Sequence, residues 1–302
     1  MTMTTSVDQA LERIQAGEPL DPRTLAELAA SSDILACGML ADALRRRLHG
    51  ATTTYVRVHT VESETDEGGA AEAVPAAAGE VRLAGSPSTL DEALARVSAA
   101  RTRAGAVCLS GFSWAEVSRL ADGSRIETVL AALRAAGLDA LAEVAVDTVP
   151  SIEAALAALT GAGFTQLRLH VSKAGPADGR LDLWAQVARA QARTRAVASL
   201  SPLPRSLSAF KPTTGYDDVK AVALARLALP EVPRIQVDWM RYGPKLAQVA
   251  LTFGADDVDG VSASDASPLG RRRAPLEEIR RNIEAAGLVA VERSGRFDVP
   301  RS

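Results

Sequence analysis

The feature of this sequence that most constrains its fold is a regular alternation of strand-like and helix-like segments after residue 50. Short segments rich in β-branched and other apolar residues are mostly followed by longer segments with helical spacing, and glycine or proline often separates them. The strand candidates begin at Tyr55, Val81, Ala106, Leu138, Gln166, Ala196, Ile235 and Val258. Strands that alternate with helices at this spacing pair in parallel, and this number of them predicts an α/β barrel that is closed or nearly closed.

One repeat of this pattern is especially clear in residues 234–260. Apolar and polar residues alternate over residues 235–239, which is typical of a short strand with two unlike faces. Gly243-Pro244 then breaks the strand, and apolar residues at helical spacing follow. The repeat is therefore predicted to be a strand, a tight turn and a helix, with the next strand at residues 258–263.

The domain organisation follows from the same patterns. Residues 1–50 contain helical apolar spacing with glycine stops and are predicted to form a helical N-terminal extension. Residues 51–302 are predicted to form the barrel. Within it, residues 62–79 contain acids, alanines and glycines with no apolar period, which predicts a low-complexity loop. A barrel of this kind normally has its first helix there, so we expect that helix to be lost.

Charge and hydropathy exclude several classes of protein. The net charge is −3, so there is no basic excess with which to bind nucleic acid. No apolar run approaches the roughly 18 residues that a membrane span requires, and the N-terminus has no basic-then-apolar signal pattern. The sequence therefore predicts a cytoplasmic protein.

Cysteine and histidine are too scarce for the common metal centres. The two cysteines, Cys37 and Cys108, lie far apart in apolar surroundings and form no CxxC pair. Both are predicted to be buried free thiols that pack as small hydrophobic side chains. A three-histidine zinc site would need all three histidines of the chain, so no metal site is predicted.

The carboxyl ends of the strands are where function resides in such a barrel. The catalytic candidates there are His59, Glu143, Asp147 and His170. His170 could act as a general base, because the pKa of histidine lies near neutrality, or it could be a partly buried structural residue. No nucleophile triad, phosphate loop or dinucleotide fingerprint accompanies these residues.

A second group of side chains is predicted to bind substrate at the same end. Its members are Thr213, Arg241, Tyr242, Asp256, Asp257 and Asp259. The three aspartates could bind substrate hydroxyls or a cation, or they could cap the turn between a helix and a strand. Because too few further ligands are available, a metal is not predicted here. The threonine could approach a ligand, but the next threonine with Asp217 equally suits a helix cap.

Several segments resemble a known enzyme family. DILACGMLADALRRRLHG, TTYVRV, PTTGYDDVKAVALARLAL, GPKLAQVALTFGADDVDG and EAAGLVAVER are similar to segments of the radical S-adenosylmethionine enzymes of futalosine-dependent menaquinone biosynthesis. The similarity is greatest to aminofutalosine synthase, and dehypoxanthinyl futalosine cyclase and the deazaflavin-cofactor synthases also resemble the chain. The resemblance extends from about residue 8 to residue 291 and is weaker in the central third. It implies a (β/α) barrel of the radical S-adenosylmethionine type.

One departure from this family limits what the resemblance implies. In the family the first strand leads into a CxxxCxxC loop whose thiolates hold a [4Fe–4S] cluster, which cleaves S-adenosylmethionine. Here the first strand leads through His59 into ESETDEGGAAEAVP, which contains no cysteine. Radical catalysis is therefore excluded, no cofactor is expected, and residual S-adenosylmethionine binding is the less favoured expectation.

Two hypotheses about function remain open. The chain could be a cluster-less, non-catalytic or accessory protein of menaquinone biosynthesis that pairs with an active homologue or another pathway enzyme, or binds a pathway nucleoside. Alternatively, it could be an enzyme that performs acid–base chemistry on a nucleoside-like or related small molecule in the barrel pocket. A new active site should bring several candidate side chains to one cavity, whereas an accessory protein should expose an apolar patch for its partner.

Overall fold

The fold is an α/β barrel preceded by three helices. The computed structural model describes residues 3–62, 73–173, 175, 178–206, 214–264 and 275–299. The three leading helices are α1 (Met3–Ala16), α2 (Pro22–Ala30) and α3 (Ile34–His49). Asp21 and Asp33 cap the last two, because each carboxylate accepts a backbone N–H of the first turn. The predicted boundary between this extension and the barrel stays a prediction.

The barrel is built from parallel strands. They are β1 (Thr52–Val61), β2 (Glu80–Leu83), β3 (Cys108–Ser113), β4 (Ala140–Ala145), β5 (Leu167–Lys173), β6 (Val197–Ser206), β7 (Arg234–Asp238) and β8 (Asp257–Ser262). Each strand pairs with the next, and β1 pairs with both β8 and β2, so the sheet closes. The predicted eight-stranded α/β barrel is therefore confirmed.

Helices follow most of the strands and cover the outside of the barrel. They are α4 (Leu90–Ala104), α5 (Trp114–Leu120), α6 (Ile126–Ala135), α7 (Ile152–Gly161), α8 (Leu181–Thr194), α9 (Gly215–Ala228), α10 (Trp239–Leu251) and α11 (Pro275–Ala285). Their buried residues and the outward side chains of the strands form the main apolar core. A second core, which includes Leu40 and Leu224, joins the leading helices to α9.

The predicted loss of the first barrel helix falls mostly on residues outside the described part of the chain. Between β1 and β2, residues 62 and 73–79 are described, and they contain no helix. Residues 63–72 of the predicted loop lie outside the described residues.

The inner face of the barrel is polar rather than apolar. Alternate side chains of the strands point inward, so Glu80 of β2 and Arg168 and His170 of β5 are buried in the interior, and Arg82 of β2 is partly buried there. Arg168 donates to Glu80 over 2.6 Å, and Arg82 donates to the same carboxylate over 2.9 Å. Charge pairs inside the barrel thus replace the branched apolar layers that usually fill it.

The tail of the chain closes the amino end of the barrel. A further strand, β9 (Val289–Glu292), pairs in parallel with the first half of β1. Beyond it, Gly295 passes so close to Cys108 and Glu80 that an added Cβ would lie 2.7 Å from the Cβ of Cys108. Arg168 donates to the Gly295 carbonyl over 2.7 Å, so the tail is part of the interior.

The junction between β7 and α10 differs from the sequence prediction. The strand ends at Asp238, whose carboxylate accepts the Arg241 N–H over 3.0 Å and so caps a helix beginning at Trp239. The predicted strand end at Trp239 was therefore one residue too late, and a first helical turn lies before Gly243. Gly243 itself is not helical, with a φ of 79° and a ψ of 166°, and it separates this turn from the helix that continues at Pro244, as the predicted break at Gly243-Pro244 requires.

Candidate functional site

A polar cavity of about 490 Å³ opens at the carboxyl end of the barrel. It is lined by Val58, His59, Thr60, Arg82, Asp238, Met240, Gly260, Ser262 and Ser264. These residues come from β1, β2, β7, β8 and the segments that follow β7 and β8. The volume lies within the range that small-molecule sites occupy, about 300–1,000 Å³. The structure thus places one predicted catalytic candidate, His59, in the lining of this cavity.

Four charged or titratable side chains on consecutive strands border the same end of the barrel. This carboxyl-end cluster consists of Glu143 of β4, His170 of β5, Arg205 of β6 and Asp238 of β7. Arg205 Nη1 donates to Asp238 Oδ2 over 2.8 Å, and Arg205 Nε lies 3.4 Å from Glu143 Oε1. Glu143 Oε2 lies 3.8 Å from His170 Nε2. Two predicted candidates are therefore neighbours, and Asp238 joins their cluster to the cavity.

His170 is held in its neutral form by its surroundings. Burial is the main cause and lowers the pKa of His170 to about 4, with Glu143 opposing this shift and Arg205 adding to it. The ring is almost fully buried, and its Nδ1 has no hydrogen-bond partner. A neutral imidazole with an unpaired nitrogen is free to exchange a hydrogen bond with a bound molecule.

Arg82 and Asp259 form a buried pair beside the cavity. Arg82 Nη2 donates to Asp259 Oδ1 over 2.9 Å. Burial alone would raise the pKa of Asp259, but the adjacent Arg82 guanidinium holds the pKa far below its usual value. Asp259 thus stays ionised, and its charge is balanced within the protein.

Three other predicted site residues make structural contacts near the same end. Asp147 accepts the backbone N–H groups of Ser172 and Lys173, both over 2.7 Å, and thereby fixes the end of β5. The Tyr242 hydroxyl lies 2.9 Å from the carbonyl oxygens of two β6 residues, and burial raises its pKa to about 12. Arg241 is largely exposed and donates to the Arg205 carbonyl over 3.3 Å. Thr213 lies outside the described residues.

Asp256 lies at the amino end of the barrel, opposite the cavity. It precedes β8, which begins one residue later, and its side chain is fully buried. It accepts hydrogen bonds from the guanidinium groups of Arg226 and Arg234 and from the Ile235 N–H. His49 Nε2 lies 3.1 Å from the same carboxylate. Asp256 therefore links the leading helices to the barrel, which corrects its placement at the substrate end.

Asp257 also lies away from the cavity, inside the amino end of the barrel. Arg293 of the tail donates to both of its oxygens, over 2.6 and 2.7 Å. Gln236 Nε2 donates over 2.7 Å, and the Thr54 hydroxyl donates as well. Protein donors thus face both of its oxygens, and β8 begins at this residue, which places it at the amino end. The prediction had placed it at the opposite end of the strand.

Sequence reasoning missed the arginines that pair with these acids. Arg82, Arg168, Arg205 and Arg293 are all buried or nearly buried in the interior. For Arg82 and Arg168 the sequence contained an indication of this role. Each is a charged residue between two apolar residues of a strand, so its side chain points to the opposite face of the sheet from theirs. Such a position faces inward in a barrel and needs a partner of opposite charge.

The two cysteines do not fit the three-thiolate set of a radical S-adenosylmethionine cluster. Cys37 is buried in α3, outside the barrel, and its Sγ contacts the Leu28 carbonyl at 3.5 Å. Cys108 begins β3 at the amino end, and burial raises its pKa to about 11. Neither thiol lies near the carboxyl end of β1, and thiolates are the ligands that such a cluster needs.

The described residues contain neither a metal-binding cluster nor a membrane-spanning helix. No three His, Cys, Asp or Glu side chains in those ranges are grouped so that they could hold a metal ion. Among the same residues, no helix combines the length and apolar character that a membrane crossing requires.

Comparison with known proteins identifies the carboxyl-terminal third of the chain. Residues 202–299 match the model of the CofH/MqnC C-terminal region. The resemblance inferred from the sequence is confirmed. This region contains β7, β8, Asp238 of the carboxyl-end cluster, and the tail that closes the amino end of the barrel.

Curated relatives agree with this assignment. The chain is 33% identical over 141 residues to a 5-amino-6-(D-ribitylamino)uracil–L-tyrosine 4-hydroxyphenyl transferase of Archaeoglobus fulgidus, covering 40% of this chain and 41% of the relative. It is 30% identical over 203 residues to the aminodeoxyfutalosine synthase of Thermus thermophilus, covering 56% of this chain and 54% of the relative. The chain therefore spans about half the length of the curated relatives that it matches.

Solved structures share the fold. Methylornithine synthase aligns with a TM-score of 0.63 at 12% identity, covering 93% of this chain and 97% of that chain. The hydrogenase maturase HydG of Carboxydothermus hydrogenoformans aligns with a TM-score of 0.66 at 12% identity, covering 97% of this chain and 81% of that chain. At this identity the likeness concerns the barrel alone.

Proposed function

We propose that this chain is a cluster-less relative of aminodeoxyfutalosine synthase that binds a small molecule in its carboxyl-end cavity without radical chemistry. In this proposal it serves menaquinone biosynthesis as an accessory protein, beside an active homologue or another enzyme of the pathway. The family resemblance supports the pathway, and the retained barrel and cavity support ligand binding. Activity, ligand and pathway are all inferred from relatives that the chain only partly spans.

The positions of the two thiols carry the cluster-less part of the proposal. The chain has only two cysteines, and both are buried far from the carboxyl end of β1. One lies in a leading helix, and the other lies at the opposite end of the barrel. Moving either to the first loop would require unfolding the core that surrounds it.

The cavity suits a nucleoside-like molecule. Its polar lining, which includes His59, Thr60 and Ser262, offers hydrogen bonds to hydroxyl groups. Val58 and the largely exposed Met240 offer apolar contact to a ring. The names of the relatives include a ribitylamino-uracil and an aminodeoxyfutalosine, which combine a ring with hydroxyl groups.

Anaerobic iron–sulfur reconstitution tests the cluster-less part directly. We expect no stoichiometric cluster uptake, and the same small iron content in the wild type and in a Cys37→Ser/Cys108→Ser variant. The double variant is the matched control, because it retains the fold-determining packing but has no thiol. Stoichiometric uptake with [4Fe–4S] absorbance in the wild type alone would overturn the proposal.

Thermal melting with defined ligands tests the cavity. The probes are futalosine, aminofutalosine and S-adenosylmethionine, each at up to about 100 times a micromolar Kd, where binding stabilises a protein by about 2.7 kcal/mol. We expect a nucleoside to raise the Tm, and Met240→Trp at the cavity rim to reduce this shift. Leu48→Trp, on the partly exposed side of α3, is the control. No shift with any nucleoside, together with no partner on co-purification at native expression, would contradict the proposal.

A second candidate function is acid–base catalysis on a nucleoside-like substrate. The observation that favours it is the carboxyl-end cluster, in which Glu143 and a neutral His170 lie 3.8 Å apart and Arg205 connects Glu143 to Asp238 of the cavity lining. Such a pair can accept and return a proton at a substrate hydroxyl or amine. Turnover of a bound nucleoside that is lost in both Glu143→Gln and His170→Gln would favour this function. Binding without turnover favours the accessory role.

A further inference from the structure

Exposed apolar side chains are concentrated on one face of the molecule, away from the cavity. Among the described residues, eight large hydrophobic side chains are exposed, and half of them lie on the surface formed by α3, α9 and α10. These four are Leu35, Met39, Tyr216 and Val249. Scattered single exposures are normal, but a contiguous group marks an interaction surface.

This face combines a protrusion with an adjoining groove. The protrusion is Leu35 and Met39 of α3, which are four residues apart on one side of the helix and are 67% and 68% exposed. The groove encloses about 400 Å³ between α9 and α10, and its lining includes Ile34, Tyr216 and Val249. Ile34 precedes Leu35 directly, so protrusion and groove lie side by side.

Packing across the groove shows that its floor is firm. Phe253, which follows the end of α10, lies against Gly38 of α3 so closely that an added Cβ would lie 2.7 Å from its ring. Val219 of α9 lines the same groove and is buried. The groove is therefore a fixed feature between three packed helices rather than a gap that a side-chain movement would close.

Two opposite charges adjoin the apolar surface. Lys245 of α10 lines the groove and makes no ion pair within the described part of the chain. Asp33 precedes the protrusion; its carboxylate caps α3 through the Ala36 N–H and likewise has no cationic partner among those residues. Among the described residues, the groove edge thus carries one cation without an ion pair, Lys245, and the start of the protrusion carries one such anion, Asp33.

We infer that this face binds a second copy of the same chain, with Leu35 and Met39 of each copy in the groove of the other. A two-fold axis exchanges protrusion and groove, so one surface satisfies both partners, as an isologous interface requires. The same axis brings Lys245 of each copy toward Asp33 of the other. A partner surface with only one sign of charge would attract either Lys245 or Asp33 and repel the other. A second copy presents both charges, and this favours a second copy over an unrelated protein.

Analytical ultracentrifugation over a concentration series tests the inference. We expect the wild type to form a dimer and Met39→Asp to weaken it at least about tenfold, because a buried apolar side chain becomes a charge. Met240→Asp is the matched control, since Met240 is 70% exposed but lies at the cavity rim. It should leave the dimer constant unchanged. Tm measurements on each variant show that the fold is retained.

A charge exchange tests the orientation. Lys245→Glu should weaken the dimer about two- to fivefold, the effect of one exposed ion pair, and Asp33→Lys added to it should restore affinity. A wild type that stays monomeric at about 100 µM, or that associates only with a different protein, would overturn the inference. A dimer equally unaffected by Met39→Asp and Val249→Asp would overturn it too. None of these outcomes depends on the cavity or on cluster content, so this inference and the proposed function fail separately.

Discussion

Arg293 is predicted to be one of the largest single contributors to the stability of the barrel. Its guanidinium makes two hydrogen bonds to the fully buried carboxylate of Asp257 and lies 4.0 Å from the Phe297 ring centroid. Arg293→Met keeps the length of the side chain but leaves that carboxylate with only the donors Gln236 and Thr54. Breaking one partner of a buried ion pair costs about 3–5 kcal/mol.

The expected loss is measurable by thermal and urea unfolding at pH 7. For a chain of this size, it lowers the Tm by roughly 6–10 °C. Arg296→Met is the control, because Arg296 lies three residues along the same tail but is 41% exposed, where it pairs with Asp139. Asp139 keeps Arg101 and Arg134 as partners when Arg296 is replaced, so this variant should lose much less stability than Arg293→Met.

The pH dependence gives a second test with a defined sign. Burial alone would raise the pKa of Asp257, but Arg293 holds the pKa below its ordinary value. The wild type therefore has this stabilisation above about pH 4, the unfolded pKa of aspartate, and loses it as the pH falls through the lower folded pKa. Without Arg293 the pKa of Asp257 in the folded protein rises. Protonation of Asp257 at low pH then removes the unpaired buried charge and reduces the destabilisation of the variant. The stability gap between the two proteins should narrow as the pH falls through the folded pKa of Asp257 in the variant.

Two results would refute this reasoning. One is an Arg293→Met variant that loses no more stability than Arg296→Met at pH 7. The other is an Arg293→Met/Asp257→Asn variant that is as unstable as Arg293→Met, because removing the buried charge should recover much of the loss.

Three further predictions concern individual groups. Glu143→Gln should lower the pKa of His170 below about 4, because the carboxylate opposes the effect of burial; an upward shift in an NMR titration would contradict this. Thr214→Ala removes a reciprocal cap of α9 and should cost about 1 kcal/mol in urea unfolding, whereas Thr214→Ser should cost far less. Cys37 and Cys108 should react with maleimide at pH 8 only after unfolding, since burial raises the pKa of both thiols; fast labelling of the folded protein would refute this.

The barrel could be predicted from the sequence because its outward side chains repeat. Apolar residues at every second position of the strands, and at helical spacing between them, reflect packing against neighbours close in sequence. The order of strands then follows from parallel pairing. The same pattern predicted β7 correctly, but the predicted strand end was one residue too late. Trp239 is apolar and buried, and such a residue fits the first turn of a helix as well as the end of a strand.

The polar interior could not be predicted in the same way. Arg168 and Glu80 are 88 residues apart, and Arg82 and Asp259 are 177 apart, so no local pattern pairs them. The acids at the start of β8 are a separate case. The predicted strand start at Val258 differs from the observed start by one residue and already placed Asp256 and Asp257 before β8. Their assignment to the substrate end was therefore inconsistent with the predicted strand, because residues that precede a parallel strand lie at the amino end of the barrel.

Asp257 and His170 differ in how fully their polar atoms are paired, while unpaired buried atoms occur at both ends of the barrel, with Thr53 Oγ1 and Arg168 Nε among those toward the amino end. At the amino end Asp257 receives donors from β1, β7 and the tail, and bound ligands could add nothing to it. At the carboxyl end His170 Nδ1 and Arg205 Nε are buried without a hydrogen-bond partner. Unpaired buried groups cost stability and persist where a ligand can satisfy them. Substitutions at Asp257 should therefore change the Tm of the free protein, whereas substitutions at His170 should change mainly the shift that a ligand produces.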